Sequence, residues 1–248
     1  MGTKPDIILT IYIIILSYFA LGAIGFYFVN RKKGQEQARN NWIKLISYFF
    51  IIHILFFSIV IHPPVFRYVA ALIIAAGIFE LLKLYSQSGY QGTGFFLFSI
   101  ILFTVFATGF YFFSGLKPET MLFSFLILSV FDSFSQITGQ LAGKKKLFPA
   151  ISPNKTREGL IGGIIMALIT AYLIKALVTE PLIKVLVLAA GTVIFAFIGD
   201  IFTSYYKRYY RVKDFSRLIP GHGGFLDRFD SLIAGGFWTA LFVYITGI

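Results

Sequence analysis

Residues 181–205 read PLIKVLVLAAGTVIFAFIGDIFTSY, a run whose only charged side chains are Lys184 near its start and Asp200 near its end. Crossing a hydrocarbon core of about 30 Å takes roughly 20 apolar residues in helical form, so this run is long enough to span a bilayer. Working outward, the same pattern recurs at 5–29, 42–62, 65–83, 94–115, 119–140, 159–178 and 227–247. Composition agrees: 57% of the chain is hydrophobic, 19% aromatic and only 13% charged, where soluble globules carry about a quarter charged residues. The fold class expected is all-α, a polytopic integral membrane protein with about eight transmembrane helices. No repeat or linker divides it, so residues 1–248 are expected to form a single membrane domain.

The first run is longer than the roughly 7–15-residue apolar core of a secretory signal and is followed by Arg31, Lys32 and Lys33, so it is expected to be retained. There are no cysteines, which excludes disulfides and thiolate metal sites.

Eight spans place the connections after the first, third, fifth and seventh runs on one face, and the other connections with both termini on the opposite face. Of the 22 basic residues, only Lys4, Arg67, Lys117, Lys175 and Lys184 fall on the second face. The positive-inside rule therefore predicts that the first face is cytoplasmic and both termini lie outside. The net charge of +11 fits this topology and attraction to anionic lipid headgroups. Spread over membrane loops without a recognised binding fold, it does not point to nucleic acid.

Carboxylates near membrane depth are costly and mark functional sites by default. Asp132, Asp200, Asp227 and Asp230 fall toward the cytoplasmic ends of the fifth, seventh and eighth runs. Glu80 lies three residues from Lys83, a spacing that predicts a local ion pair. Asp227 and Asp230 are also three apart and share one face of a helical turn, where they can share a cation or cap the helix and favour its dipole. Capping does not account for Asp200. Magnesium uses one or two carboxylates and completes its shell with phosphate oxygens, so Asp200 and Asp227 are the expected pair.

Between the last two runs lies SYYKRYYRVKDFSRLIPGHGGFLDRFD, residues 204–230, which concentrates nine ionised side chains. The glycines of Pro220-Gly221-His222-Gly223-Gly224 permit unusual backbone angles and let amides approach an anion ahead of a helix, which predicts a phosphate cradle. Lys207, Arg208, Lys213 and Arg228 can clamp phosphoryl oxygens around it. His222 can donate to phosphate, act as acid or base, or stabilise the turn. A second loop runs from Gly143-Lys144-Lys145-Lys146 to Ser152-Pro153-Asn154-Lys155-Thr156-Arg157-Glu158-Gly159. Ser152 or Thr156 can cap the next helix and Glu158 can favour its dipole, or Lys155 and Arg157 can receive a phosphate there. His53 and His62 lie far from this face and are expected to be structural.

These residues resemble the phosphatidate cytidylyltransferases, also called CDP-diacylglycerol synthases. Ser204, Lys207, Arg208, Lys213, Asp214, Pro220, His222, Gly223, Gly224, Asp227, Arg228 and Asp230 occupy every slot of that family's signature. Gly199-Asp200 and the segment from Ser152 to Gly159 are similar to its other motifs, so the resemblance covers about 130–235. Three departures stand out. Tyr206 replaces an aliphatic residue, Phe131-Asp132-Ser133-Phe134-Ser135-Gln136 stands for Ala-Asp-Thr-Gly-Ala-Tyr, and Gly139-Gln140 for Gly-Arg. Within the single domain, the resemblance divides variable N-terminal helices, about 1–118, from catalytic helices and motif loops, about 119–248.

The resemblance implies an enzyme in which a phosphatidic acid phosphate oxygen attacks the α-phosphorus of CTP, giving CDP-diacylglycerol and pyrophosphate. Asp200 and Asp227 would hold Mg2+, with a second cation as a further option. Lys207, Arg208, Lys213 and Arg228 would handle phosphates, with His222 and Asp230 in the same catalytic group. Ser152, Lys155, Thr156 and Glu158, together with Asp132, Ser204, Gly223 and Gly224, would form the nucleotide and lipid-phosphate pocket. CTP, phosphatidic acid and the bilayer are the implied partners, and a homodimer is an assembly the family often adopts. In a prokaryote the membrane would be the plasma membrane. The neighbouring reading is a CTP-dependent polyprenol or phytol kinase, whose neutral alcohol would need a general base. A transporter would instead thread polar residues across the helices, whereas the acids here gather at one face.

Overall fold

In the computed structural model, which describes residues 4–31, 34–221 and 223–247, the apolar runs are helices. They are α1 (Lys4–Asn30), α2 (Gln35–Val60), α3 (Pro63–Gln87), α4 (Thr93–Phe113), α5 (Pro118–Ala142), α6 (Arg157–Leu173), α7 (Leu182–Tyr209) and α8 (Leu226–Thr246). Prolines open α3 and α5, at first-turn positions where the missing N–H breaks no helical bond. The protein is an all-α, multi-pass membrane protein. Seven of these helices are long and apolar enough to cross a bilayer. The exception is α6, whose 17 residues rise only about 25 Å at 1.5 Å per residue. The span expected at 159–178 is thereby corrected: it breaks into α6 and a separate 3-10 turn, Lys175–Leu177. The loop expected before it is partly ordered as an antiparallel hairpin of β1 (Lys146–Phe148) and β2 (Ser152–Thr156).

The most enclosed helix is α8, with 56% of its apolar window buried, against 6% for α1. Lipid tails are as apolar as leucine, so close packing and interhelical hydroxyl bonds carry helix association in a bilayer. Both devices are present. The Thr239 hydroxyl of α8 lies 2.9 Å from Ser124 of α5 and 3.3 Å from Thr192 of α7, all three buried. Between α5 and α6, a Cβ at Gly163 would sit 2.9 Å from the Phe131 carbonyl oxygen. Glycine there allows backbone contact and secures α6 despite its length.

Helix α7 continues to Tyr209, past the boundary expected at 205, so Lys207 and Arg208 project from its last turns. Tyr206 is fully buried and donates its hydroxyl to the Leu81 carbonyl at 2.8 Å, tying α7 to α3. The Ser47 hydroxyl of α2 donates to the Pro220 carbonyl at 3.0 Å. Alternating helix directions thus gather the C-terminal ends of α3, α5 and α7 and the N-terminal ends of α2, α6 and α8 at one end of the bundle.

Candidate active site

At that end the last turns of α7 face the first turn of α8 through an ion pair. Lys207 Nζ donates to Asp227 Oδ1 at 2.6 Å, with the side chains only 12% and 3% exposed. Asp227 Oδ2 accepts the backbone N–H groups of Phe215, at 2.9 Å, and Gly224, at 2.8 Å. One carboxylate therefore pins the 210–225 loop onto both helices. A second pair joins β2 to α7, where Lys155 Nζ donates to Asp200 Oδ2. This pair is more open, at 23% and 31% exposure. Ser204, one turn beyond Asp200, donates to its Oδ1 at 3.4 Å.

Asp230 is buried. It accepts the Thr203 hydroxyl at 2.5 Å and the Ser231 N–H at 2.7 Å. Asp227 and Asp230 thus bond to different partners within the protein. Asp132, Asp200 and Asp230 lie within electrostatic reach of one another, with Lys155 and Arg228 acting on Asp132 from the opposite sign. Asp132 and Arg228 are exposed, and Arg228 also acts on Tyr48 of α2.

This donor set fits a hard cation. Carboxylate oxygens are the ligands magnesium takes, usually one or two from protein with phosphate and water completing the shell. Asp200, partly exposed and bonded to one lysine, is the accessible member. Asp227 can offer Oδ1 if Lys207 moves aside, because Oδ2 holds two amides. Among the described residues no three His, Cys, Asp or Glu side chains form a closed metal cage.

In the glycine turn, Ile219 donates its N–H to the Gly223 carbonyl at 2.8 Å. Gly221 and Gly223 take φ of +74° and +86°, the left-handed region that glycine enters without a Cβ penalty. His222 lies outside the described residues. Where a phosphate cradle is expected, the three amides leading into α8 are taken up within the protein. Gly224 donates to Asp227, and Phe225 and Leu226 donate to Glu80 Oε1 and Oε2 at 3.0 and 2.7 Å. The Glu80–Lys83 pair is corrected by the same finding. Glu80, fully buried on α3, serves these amides and the Ser216 hydroxyl at 2.6 Å.

On the hairpin side, the Thr156 hydroxyl accepts the Gly159 N–H at 3.1 Å, so Thr156 caps α6 while Ser152 sits opposite Phe148 in the hairpin. Glu158 accepts the N–H groups of Lys144 and Lys145 at 2.9 and 3.2 Å, closing the turn between α5 and β1. The Lys144 amide, the largest influence, holds the Glu158 carboxyl below its ordinary range. Arg208 donates to the carbonyls of Ile151, at 3.1 Å, and Val212, at 3.0 Å, fastening the hairpin to α7. Lys213 is exposed.

The site therefore holds residues that motif reasoning left out: Glu80 with Ser216, Ser47 over the turn, and Tyr48 in the field of Arg228. Glu80 carried a signal, a lone acid in an apolar helix, but its partners lie 136 to 146 positions away. Nothing in the local pattern marked the other three.

The profile described as Cytidylyltransferase family matches residues 7–246. Among curated relatives, the protein named Phosphatidate cytidylyltransferase of Staphylococcus haemolyticus (strain JCSC1435) is 41% identical over 130 residues, 50% of each chain. That of Staphylococcus saprophyticus subsp. saprophyticus is 43% identical over 115 residues, 46% of this chain and 44% of the relative. The protein of the same name from Staphylococcus aureus (strain COL) is 39% identical over 130 residues, again 50% of each. The chain spans about half the length of the curated relatives it matches.

Proposed function

The chain belongs to the cytidylyltransferase family, and on that premise we propose that it moves the cytidylyl group of CTP onto phosphatidate, forming CDP-diacylglycerol and releasing pyrophosphate. A phosphate oxygen of the lipid attacks the α-phosphorus as the bond from that phosphorus to the pyrophosphate oxygen breaks. The nucleophile is already an anion, so the protein need not remove a proton from it. Its task is in-line positioning and neutralisation of crowded negative charge.

The observation that carries this reading is the convergence of two motif lysines, each resting on a motif aspartate, at one end of the bundle. Such a lysine is a positive charge held in place before phosphate arrives, so little reorganisation is needed at the moment of reaction. Lys155, beside the more open carboxylate, is positioned to share its charge with an arriving phosphate. Lys213 and Arg228, exposed at the same end, supply further donors. Mg2+ held by Asp200, with Asp227 as a second ligand, would add positive charge over the CTP phosphates. The basic bias of this end supports its assignment to the cytoplasm, where CTP is found, and phosphatidate would enter laterally from the facing leaflet.

The test is incubation of purified protein in detergent with α-labelled CTP, magnesium and phosphatidate. Label should enter the organic phase with pyrophosphate release. CDP release that depends on an added polyprenol, with no label in lipid, would overturn the reading in favour of a kinase.

A further inference from the structure

A buried carboxylate in a membrane helix is expensive unless it is fully bonded, and Glu80 has no exposed surface. Among the described residues its hydrogen bonds run to one short segment: the Ser216 hydroxyl, the Phe225 amide and the Leu226 amide. Those two amides stand at the start of α8, where N–H groups lack intrahelical acceptors and the dipole favours negative charge. The segment between them and Ser216 includes the glycine turn, and Asp227 follows immediately. Gly224 is packed so closely on Glu80 that a Cβ would lie 2.8 Å from its carboxyl carbon and Oε2. Helix α3 thereby holds both ends of the loop that carries Asp227.

We propose that Glu80 is a positioning residue for the transfer reaction: from α3 it fixes the first turn of α8, and through it the placement of Asp227 toward Lys207 and of Arg228 toward the site. It touches no substrate. This inference rests on the cytidylyltransferase reading for its kinetic consequence, but not for its structural one. An N-terminal helix outside the signature is, on this account, part of the catalytic apparatus.

Three variants test it in the same detergent assay, with the folded fraction measured by size exclusion. Glu80→Gln keeps the shape but replaces one acceptor oxygen by a donor facing a backbone N–H. Its kcat per folded molecule should fall about tenfold or more, with KM for CTP changed by less than about threefold. Lys83→Ala, which would reproduce that loss if Glu80 served a local ion pair, should behave as wild type. Ser216→Ala, a milder change, should lower kcat by about threefold and covers the case in which Glu80→Gln does not fold. Wild-type kcat in Glu80→Gln, or in Ser216→Ala where it alone folds, overturns the proposal, as does an equal loss in Lys83→Ala. Amide hydrogen exchange across 216–230 provides an arm independent of activity. Phe225 and Leu226 should exchange faster in Glu80→Gln than in Lys83→Ala, and unchanged exchange overturns the proposal. Wild-type protein that transfers no label to phosphatidate would refute the functional reading, with the exchange result still deciding the role of Glu80.

Discussion

Asp227→Asn is the most informative perturbation of the core of the site. The native carboxylate is 3% exposed and bonds Lys207 through one oxygen and two amides through the other. Asparagine has one acceptor oxygen. If it keeps the Phe215 and Gly224 amides, its NH2 faces the Lys207 ammonium; if it serves Lys207, the amides lose their acceptor. Either way an ammonium only 12% exposed loses its counter-charge, and breaking one side of a buried pair typically costs about 3–5 kcal/mol. Even 3 kcal/mol expressed at the transition state is about a hundredfold in kcat/KM, at 1.36 kcal/mol per tenfold. Thermal unfolding in detergent should shift down, and label transfer to phosphatidate should fall by at least that factor. The companion Lys207→Met/Asp227→Leu separates fold from chemistry. It removes both charges, so it should recover stability relative to Asp227→Asn while remaining inactive. Retention of activity within threefold in Asp227→Asn, or a double variant no more stable than the single one, would mean that the buried Lys207–Asp227 pair carries neither the site nor its stability.

Two further outcomes follow from the geometry. Gly223→Ala places a side chain at φ +86°, which costs about 1–2 kcal/mol, and sets its Cβ 2.9 Å from Asp227 Oδ2; melting temperature and transfer rate should drop together, and an unchanged rate would contradict the role given to the turn. The Glu158 carboxyl is held below its ordinary range by the Lys144 amide, so its stabilisation of the turn is present above the unfolded value of about 4.3 and fades as pH falls through the lower folded value. Exchange at Lys144 and Lys145, corrected for intrinsic pH dependence, should speed up on acidification in wild type but not in Glu158→Gln, and pH-independent protection in wild type would oppose this.

Much of the architecture was legible in the chain because it depends on local quantities. Apolar length reports membrane crossing residue by residue, so the helices appeared near their true places. The run at 159–178 was the exception, because its composition alone did not show where the helix would break. Motif spacing likewise singled out Asp200, Lys207 and Asp227, which the fold places in two lysine–aspartate pairs, since the residues lie on or beside helices whose ends the same pattern locates. Tertiary packing decided which partners these side chains take. Helical spacing shows what shares a face, and so it offered Lys83 to Glu80 and a common cation to Asp227 and Asp230. In the fold, Glu80 turns across to the start of α8 and Asp227 back to the loop. The glycine turn looked like an anion site for a sound reason, namely amides ahead of a helix. The anions that meet those amides belong to the protein itself and come from residues as far as 146 positions away, a distance over which only three-dimensional packing sets neighbours.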